Sequence, residues 1–463
     1  MKLSDGPNGA RGGTFDHGKP AACFPACVSL AASRDSELAV RIGKGLTEDA
    51  TTNGVRLLLG PTVCLHRHPT GGRNFESFSE DPFLTGKLAS KYIEGLQSKG
   101  IGAAVKHFAA NEQETHRFTI DTHVSKRALR EILLKPFEIA VKAADPWAIM
   151  TSYNLLMLNG SYVDENKHIL TGLLREQWGG FQGLIMSDWG SVHSTSASLN
   201  AGHDLEMPGP GYYRTPAKIA HAMQVGELNE ETLDDRVMAV LKLLDRAGCF
   251  QNPSIPPESS IDRPEHRQLI RQAGADGMML LKNSGILPLK EKELKSIALL
   301  GFAKEYLGHG GWSAAVNSQR KITPFEAFQE ALKGDVELRY AEGARTWRIF
   351  PPLQKHVYDD EQQPGHTMRV FSSDSPEQCT TSRIYKLWHI SSKSQRKHYI
   401  SFNSMGNPAV YINDEKVFED MRPTADLMAF ILGVAVEEQD RYDFVAGQEF
   451  GWSRSQLATR HFH

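Results

Sequence analysis

The stretch GLIMSDWG, residues 183–190, decides the fold of this chain. Its first four residues are apolar, lack helical spacing and begin at a glycine, a pattern typical of a strand buried on both faces in a parallel sheet. We expect Asp188 and Trp189 to point into a loop-lined mouth, because the carboxyl ends of barrel strands converge where catalytic groups lie. Taken alone, Asp188 could instead hold a magnesium ion, cap the next helix or bind loop amides.

Around this stretch the chain alternates between helix and strand patterns. Helical patterns cover residues 35–52, 82–100, 125–143, 166–178 and 217–249. Strand patterns lie between and after them, at residues 55–64, 102–108, 147–153, 183–188 and 200–208. Right-handed βαβ units produce this alternation, so we predict an α/β fold with a (β/α)8-type TIM barrel. No strand or helix precedes the motif at residues 2–13, and we therefore expect a barrel that is incomplete at its N-terminus.

The length of 463 residues allows more than one domain, since a barrel takes roughly 250 residues. We predict a catalytic barrel at residues 1–250 and a Pro- and Ser-rich linker, QNPSIPPESSID, at residues 251–262. Residues 263–350 have the pattern of a second α/β domain, of which only the start is expected. Residues 351–463 change to short alternating strands such as HYISFN and AVYIND, which predicts a β-rich segment.

Composition excludes several classes of function. A net charge of −3 gives no basic footprint for nucleic acid, and no apolar run approaches the length of a membrane span. The five cysteines, Cys23, Cys27, Cys64, Cys249 and Cys379, do not form a disulfide framework, and we expect buried thiols rather than a metal site. No cofactor or metal is predicted. We expect small neutral or polar partners, and the sequence does not define an oligomeric state.

Polar side chains follow the ends of the predicted strands. In chain order they are Asp5, Arg67, Arg73, Glu76, Lys106, His107, Arg117, Tyr153, Asp188 and Trp189. A core would not tolerate so many charges, and a solvated face would not place them at strand ends, so we expect them to converge in one pocket. Single members have simpler interpretations: His107 could be a hydrogen-bonded core residue, and Arg73 could merely pair with Glu76.

Such a pocket suits a polyhydroxylated ring, because sugars need paired donors and acceptors around each hydroxyl group and an apolar face for stacking. A carboxylate held among cations is expected to stay ionised at neutral pH, as a nucleophile must. Glycoside hydrolysis with retention also needs a second, protonated carboxyl group about 5–5.5 Å away.

The motifs KLSDGPNGARG, GGRNFESFSEDP, AAVKHF, MTSYN and GLIMSDWG, followed by NAGHDLEMPGP, together resemble glycoside hydrolase family 3 in its β-glucosidase branch. The resemblance keeps one order from Lys2 to about Lys333. It implies hydrolysis of terminal non-reducing β-D-glucosyl residues, with Asp188 as the nucleophile and Trp189 as an aromatic wall beside the outer sugar site. The residues that it implies around the glycone ring are Asp5, Arg73, Lys106, His107, Arg117 and Tyr153.

Residues 351–463 are similar to the protective-antigen-like carbohydrate-binding insert of some members, through NPAVYINDEKVFED and DLMAFILGVAVE. In such members the acid/base glutamate follows the insert, and no such motif appears before His463, while Glu437 and Glu438 are not candidates. We therefore expect a chain truncated at both ends. Two alternatives stay open: a catalytically impaired sugar-binding fragment, and β-xylosidase specificity.

The loop AANEQETHR, residues 109–117, disfavours the N-acetylglucosaminidase branch of the family. Members of the β-glucosidase branch are expected to be secreted, although no signal peptide is visible, and a cytoplasmic location is the alternative. The sequon that begins at Asn159 makes this residue a candidate for glycosylation if the protein is exported, and otherwise a plain loop asparagine.

Overall fold

The structure, a computed structural model, describes residues 1–12, 18–156, 161–304, 310–332 and 336–343, together with eight strands between residues 357 and 457. The chain divides into two compact units, Met1–Ala341 and Glu342–His463. Among the described residues, no helix combines the length and the apolar character that a membrane span requires.

A five-stranded parallel sheet lies at the centre of the first unit. Its strands are β1 (Leu3–Asp5), β2 (Leu57–Leu59), β3 (Gly102–Phe108), β4 (Ala148–Thr151) and β5 (Leu184–Met186), and they pair in this order. Every residue of the four strands after β1 is buried, as expected for a parallel sheet covered on both faces. Because all five strands run parallel, their carboxyl ends lie along one edge of the sheet.

Helices fill the connections between these strands. Before β5 they are the α-helices Cys27–Ser33, Ser36–Thr52, Pro82–Gln97, Lys126–Ala128 and Lys135–Ala144 and the π-helical segments Leu129–Leu133 and His168–Gln177. After β5 they are Ser196–Ala201, Pro216–Gln224, Glu230–Arg246, Pro264–Asp276 and Pro324–Leu332. Short 3-10 turns are Asn74–Glu76, Val163–Glu165, Glu291–Glu293 and Trp312–Ala314. The alternation of strands and helices that the sequence predicts is therefore present in an α/β fold.

Local sequence explains where the helices begin and how closely they pack. Asp35 accepts hydrogen bonds from the N–H groups of Glu37 and Leu38 and thereby caps helix Ser36–Thr52. Asp81 caps helix Pro82–Gln97 in the same way. The two helices approach closely at Gly43, where an added Cβ atom would lie 2.3 Å from the carbonyl oxygen of Tyr92. A side chain at this position would push the helices apart.

Two elements are shorter or more broken than predicted. The strand pattern at residues 55–64 yields only β2, since Pro61 lacks the N–H group that a continuing strand would donate. The helix predicted at residues 125–143 begins after its cap Ser125, as expected, but passes through a π-helical segment before helix Lys135–Ala144. Pro136 explains the break, because a proline can occupy the first turn of a new helix but cannot continue an old one.

The strand predicted at residues 200–208 is wrong for its first half. Residues there end helix Ser196–Ala201, which stops at Gly202 with a φ of 100°. Only Leu205 pairs with the sheet, through a single parallel bridge to Met186. The short polar residues of STSASLN hid a helix that is held by a hydrogen bond from the Ser198 N–H to the Ser194 hydroxyl oxygen.

Two small sheets complete the first unit. Asp121–Thr122, Leu155–Leu156 and Ser161–Tyr162 form one of them, and Ser296–Leu300 pairs in parallel with Glu337–Ala341 in the other. Residues 251–262, the predicted linker, contain neither helix nor strand. The predicted domain boundaries stay predictions.

The second unit is described by its strands alone. They are Val357–Tyr358, Thr367–Phe371, Arg383–Ser391, Arg396–Phe402, Ala409–Ile412, Glu415–Glu419, Glu438–Phe444 and Glu449–Leu457. All of the strand pairs described in this unit are antiparallel. Strands Arg396–Phe402 and Ala409–Ile412 lie where the alternating patterns HYISFN and AVYIND predict them.

Candidate active site

Asp188 lies two residues beyond the end of β5, at the carboxyl edge of the central sheet. The residue is buried, and its side chain keeps 11% of its surface exposed. Oδ1 accepts the backbone N–H of Trp189 at 2.7 Å, and Oδ2 lies 3.4 Å from Nε2 of His107. The carboxyl group is thus oriented by its own backbone on one side and by an imidazole on the other.

β3 supplies two consecutive polar residues at the same edge. Lys106 and His107 are each 1% exposed, and the pairing of β3 with β4 shifts register between Val105 and Phe108. Nζ of Lys106 donates to Oδ1 of Asp5 at 3.1 Å, which joins the ends of β1 and β3. Three parallel strands therefore bring their terminal charges together.

Two loops add an arginine each. Nε of Arg73 forms a very close ion pair with Glu76, and its Nη1 lies 3.9 Å from Oε1 of Glu114. Nη1 of Arg117 donates to Oε2 of Glu114 at 2.9 Å. The Arg117 guanidinium group also lies over the ring of Tyr153 at 4.6 Å. Glu114 therefore joins the two arginines, and Arg117 joins them to the end of β4.

Electrostatics at Asp188 are a balance between burial and nearby cations. Burial raises the pKa of Asp188, whereas Arg73, Lys106, Arg117 and a hydrogen bond with the Tyr153 hydroxyl group oppose that rise. Burial outweighs these effects, so the pKa of Asp188 is raised. The sequence had suggested the opposite direction, because it indicated nearby cations but not the burial of the carboxyl group. Without the three cations it would rise further.

His107 is neutral in this setting. Burial lowers its pKa well below the usual range, and the cations of Arg73, Lys106 and Arg117 lower it further. The contact at 3.4 Å is therefore one between a neutral imidazole and the carboxyl group of Asp188 rather than an ion pair. The carboxyl group of Asp188 receives stabilisation from cations at a distance and from neutral donors in contact.

The structure brings together most of the residues predicted at the site. Asp5, Lys106 and His107 occupy the edge directly, and contacts or electrostatic interactions link Arg73, Arg117 and Tyr153 to Asp188. Trp189 is half-buried and packs on the apolar cluster that contains Leu59 and Met186. Arg67 is exposed in the loop after Cys64, and it interacts electrostatically with Glu112. Asn159 lies outside the described residues.

Sequence reasoning missed two participants. Arg11 is buried, and its Nη2 lies 3.1 Å from Oδ2 of Asp5, which places Asp5 between two cations. Its position within the motif KLSDGPNGARG, six residues after Asp5, is the pattern that could have identified it. Glu114 links Arg73 to Arg117, but its role depends on the meeting of two loops and no local pattern indicates it.

A small pocket adjoins this cluster on the side of His107. Its lining comes from two loops and from the end of β3, and comprises Thr62, Cys64, Leu65, Gly71, Gly72, Arg73, Asn74, Ser77, His107, Asn111, Glu112 and Glu114. Asp188 does not line this pocket, whereas Arg73 and His107 do. No group of three His, Cys, Asp or Glu side chains within the described ranges is placed to hold a metal ion.

Comparisons with known proteins agree with this geometry. The model of the glycosyl hydrolase family 3 N terminal domain matches residues 8–243, and that of the family's C-terminal domain matches residues 278–450. Beta-glucosidase B of Emericella nidulans is 47% identical over 97% of this chain and 56% of its own length. A beta-glucosidase of Rhizobium radiobacter is 46% identical over 76% of this chain and 42% of its own length.

Among solved structures, beta-glucosidase from Kluyveromyces marxianus in complex with glucose superposes with a TM-score of 0.80 at 32% identity. The match covers 98% of this chain and 59% of that one. The chain thus spans about half the length of the relatives it matches.

Proposed function

This chain belongs to glycosyl hydrolase family 3, and we propose that it hydrolyses terminal non-reducing β-D-glucosyl residues of cellobiose and other β-glucosides, with Asp188 as the nucleophile. One observation carries the proposal: a buried carboxyl group at the sheet edge is surrounded by cations that do not contact it. Relatives named as beta-glucosidases support the reaction, and a structural neighbour that holds glucose supports the substrate class.

In the proposed reaction, an Asp188 oxygen attacks the anomeric carbon and the aglycone oxygen departs with a proton from a second carboxyl group. Water then attacks the glucosyl-enzyme ester and releases glucose with its β configuration retained. The Trp189 N–H and His107 hold the carboxyl group for attack. The cations near Asp188 stabilise its charge across a water-poor site, where electrostatic interactions are strong.

The glucosyl ring would be held by the charged groups at the ends of β1 and β3 and by the arginines of the two loops. Asp5 lies between Arg11 and Lys106, so one carboxylate acceptor has a donor 3.1 Å from each of its two oxygens. Sugar hydroxyl groups, which donate and accept at once, are suited to this alternation. Trp189 would form the wall beside the aglycone.

We extend the proposal to the fold and its setting. The five-stranded sheet and the bridge at Leu205 would be part of a (β/α)8-type barrel over residues 1–250. Residues 263–350 would begin a second α/β domain, and residues 351–463 would bind carbohydrate. Extracellular action on cellulose-derived oligosaccharides would follow from the resemblance to fungal relatives.

A mechanism-based label tests the nucleophile without needing a general acid. The wild-type chain is incubated with 2,4-dinitrophenyl 2-deoxy-2-fluoro-β-D-glucoside, whose leaving group departs unprotonated, and is then mapped by peptide mass spectrometry. We expect one fluoroglucosyl ester on Asp188, and none in Asp188→Asn. A label elsewhere, or none in the wild type, would exclude the assignment. Faster labelling by the corresponding xyloside would move the specificity to xylose.

A further inference from the structure

The pocket beside His107 contains a carboxyl group that the proposed mechanism does not use. Glu112 lines it, and its Oε1 atom is buried without a hydrogen-bond partner among the described residues. Its carboxyl group also accepts the backbone N–H of Leu65, which holds it against the loop that forms the opposite wall. A buried polar atom without a partner costs free energy, so its position in a pocket calls for a ligand atom.

A second unsatisfied oxygen lies in the same pocket. Nδ2 of Asn111 donates to Oε1 of Glu114 at 2.9 Å, which fixes the orientation of the amide. Oδ1 of Asn111 is buried and has no partner within the described part of the chain. The neighbouring residues of one loop thus offer two free oxygen atoms, next to His107 and Arg73 of the proposed sugar site.

One of these two groups can donate a hydrogen bond at neutral pH. Burial raises the pKa of Glu112 to about 7, against the lowering effect of the Leu65 N–H and of Arg67. The titratable and charged groups that face it from the two loops and from β3 are Cys64, Arg67, Arg73, His107 and Glu114. Near pH 7 a substantial fraction of Glu112 therefore carries a proton.

We propose that Glu112 and Asn111 together bind one hydroxyl group of the glucosyl ring, with the Glu112 carboxyl O–H as the donor and the Asn111 Oδ1 atom as the acceptor. A hydroxyl group both donates and accepts, so this pair would use its one donor and one of its two acceptor lone pairs. The inference rests on the proposed function and adds a contact on the far side of His107. It makes Glu112 a specificity-determining residue.

The test measures sugar binding by titration calorimetry in the whole chain. Variants are Glu112→Leu, Glu112→Gln and, as a matched control in the same loop, Gln113→Leu, whose side chain is exposed and does not line the pocket. Ligands are glucose and its 2-, 3-, 4- and 6-deoxy derivatives. We expect Glu112→Leu to weaken glucose binding by about 3- to 10-fold, the effect of one neutral hydrogen bond, and Gln113→Leu to leave it unchanged.

The deoxy sugars distinguish a contact from a structural role. If Glu112 binds one hydroxyl group, one deoxy sugar will bind Glu112→Leu and the wild type equally, while the other three will still be weakened by the substitution. Equal weakening of all four derivatives by Glu112→Leu, or unchanged glucose binding, overturns the proposal. Glu112→Gln keeps the side-chain volume and a hydrogen-bond donor. It should therefore fold even if Glu112→Leu does not, and it keeps the proposal testable.

The pH dependence gives a second readout. The wild type should bind glucose more weakly as the pH rises through about 7, because the Glu112 carboxyl group loses the proton that it donates. Glu112→Gln donates at every pH, so its affinity relative to the wild type should increase with pH. A constant ratio of the two affinities between pH 5 and 9 contradicts the proposal.

If the wild type neither binds glucose nor forms the ester on Asp188, the proposed function fails, and this inference fails with it. Failure of the deoxy-sugar test alone leaves the function intact.

Discussion

Two buried aspartates, Asp188 and Asp204, lie near strand β5, and they differ in how closely cations approach them. Asp204 is in direct contact with its partners: Nη2 of Arg175 lies 2.6 Å from Oδ2, and Nη1 of Arg236 lies 3.2 Å from Oδ1. Its Oδ2 also accepts the N–H of Ile185, and its side chain is fully buried. Asp188 interacts with Arg73, Lys106 and Arg117 at longer range and keeps 11% of its side chain exposed.

The difference separates a structural carboxylate from one that is available for chemistry. Burial raises the pKa of both carboxyl groups and cations lower it in both, so titration alone would not distinguish them. Contact does distinguish them. Oδ2 of Asp204 accepts hydrogen bonds from a guanidinium group and a backbone N–H, and a second guanidinium group lies 3.2 Å from its Oδ1. The oxygens of Asp188 meet one backbone N–H and neutral side chains, which leaves a direction of approach for a sugar carbon.

The largest expected effect is that of Asp188→Asn on activity. Removal of the proposed nucleophile should lower kcat/KM for an aryl β-glucoside by at least about 10³-fold. The unfolding free energy at pH 7 should stay equal or rise, because the substitution removes a buried charge that burial penalises. Parallel kinetics and urea unfolding check this. Retained activity would contradict the role of Asp188 as the proposed nucleophile. A large loss of stability would show that Asp188, like Asp204, is a structural carboxylate.

The reverse pattern is expected for Asp204→Asn. The variant leaves Arg175 and Arg236 facing a neutral group in a buried site, so the free energy of unfolding should fall by about 3–5 kcal/mol. The ester formed per folded molecule in the labelling assay should be unchanged at a temperature where the variant is folded. A stability within 1 kcal/mol of the wild type, as an order of magnitude, would show that contact with cations does not define this region.

Asp49 offers a third carboxyl group, one with a backbone partner and only distant cations. Burial raises its pKa from 3.8 to about 6, and its Oδ2 accepts the N–H of Ala22 at 2.9 Å. Because the folded state binds the proton more tightly, the stability that Asp49 confers is present below pH 4 and is lost as the pH rises to about 6.

Asp49→Asn removes this dependence. The variant should gain stability relative to the wild type between pH 4 and pH 7, by up to about 3 kcal/mol. Urea unfolding at a series of pH values measures the difference, and Asp276→Asn on the exposed end of helix Pro264–Asp276 serves as the control. A difference that is independent of pH would show that Asp49 titrates normally.

The smallest effect is expected for Arg117→Met, which removes one distant cation from Asp188. The pKa of Asp188 should rise further, so the acid limb of the kcat/KM profile should move to higher pH. The rate near neutral pH should fall about tenfold, since Arg117 also contacts Tyr153. Arg127→Met, at a position with an 84% exposed side chain, is the matched control. An unmoved acid limb would mean that long-range charge does not tune the nucleophile.

The elements of the fold could be predicted where local pattern decides them. The apolar run at residues 102–108 is bounded by a glycine and a polar loop, and β3 has those bounds. Strand β2 is shorter than predicted because Pro61 has no backbone N–H to donate to a neighbouring strand. Helix Ser196–Ala201 was not predicted because its residues are small and polar and form no amphipathic pattern.

The site was predictable as far as strand ends determine it. Because β1, β3 and β5 run parallel, Asp5, Lys106 and Asp188 lie at the same edge of the sheet, independently of the conformation of the loops. The partners of Glu112 and Glu114 depend on how two loops meet, and no periodicity in either loop encodes that meeting. Arg67 likewise follows a strand in sequence, but its side chain is exposed and its electrostatic interaction with Glu112 depends on the same two loops.

The two ion pairs of Asp204 beside β5 cannot form at the same moment of synthesis. During synthesis Arg175 leaves the ribosome before the strand that bears Asp188, and Asp204 follows that strand, but Arg236 emerges about thirty residues later, within helix Glu230–Arg246. Until that helix docks, Asp204 has half of its ionic partners and β5 lacks its full anchor. The nascent chain therefore contains Asp188 and the strand that it follows well before Asp204 has its second ionic partner.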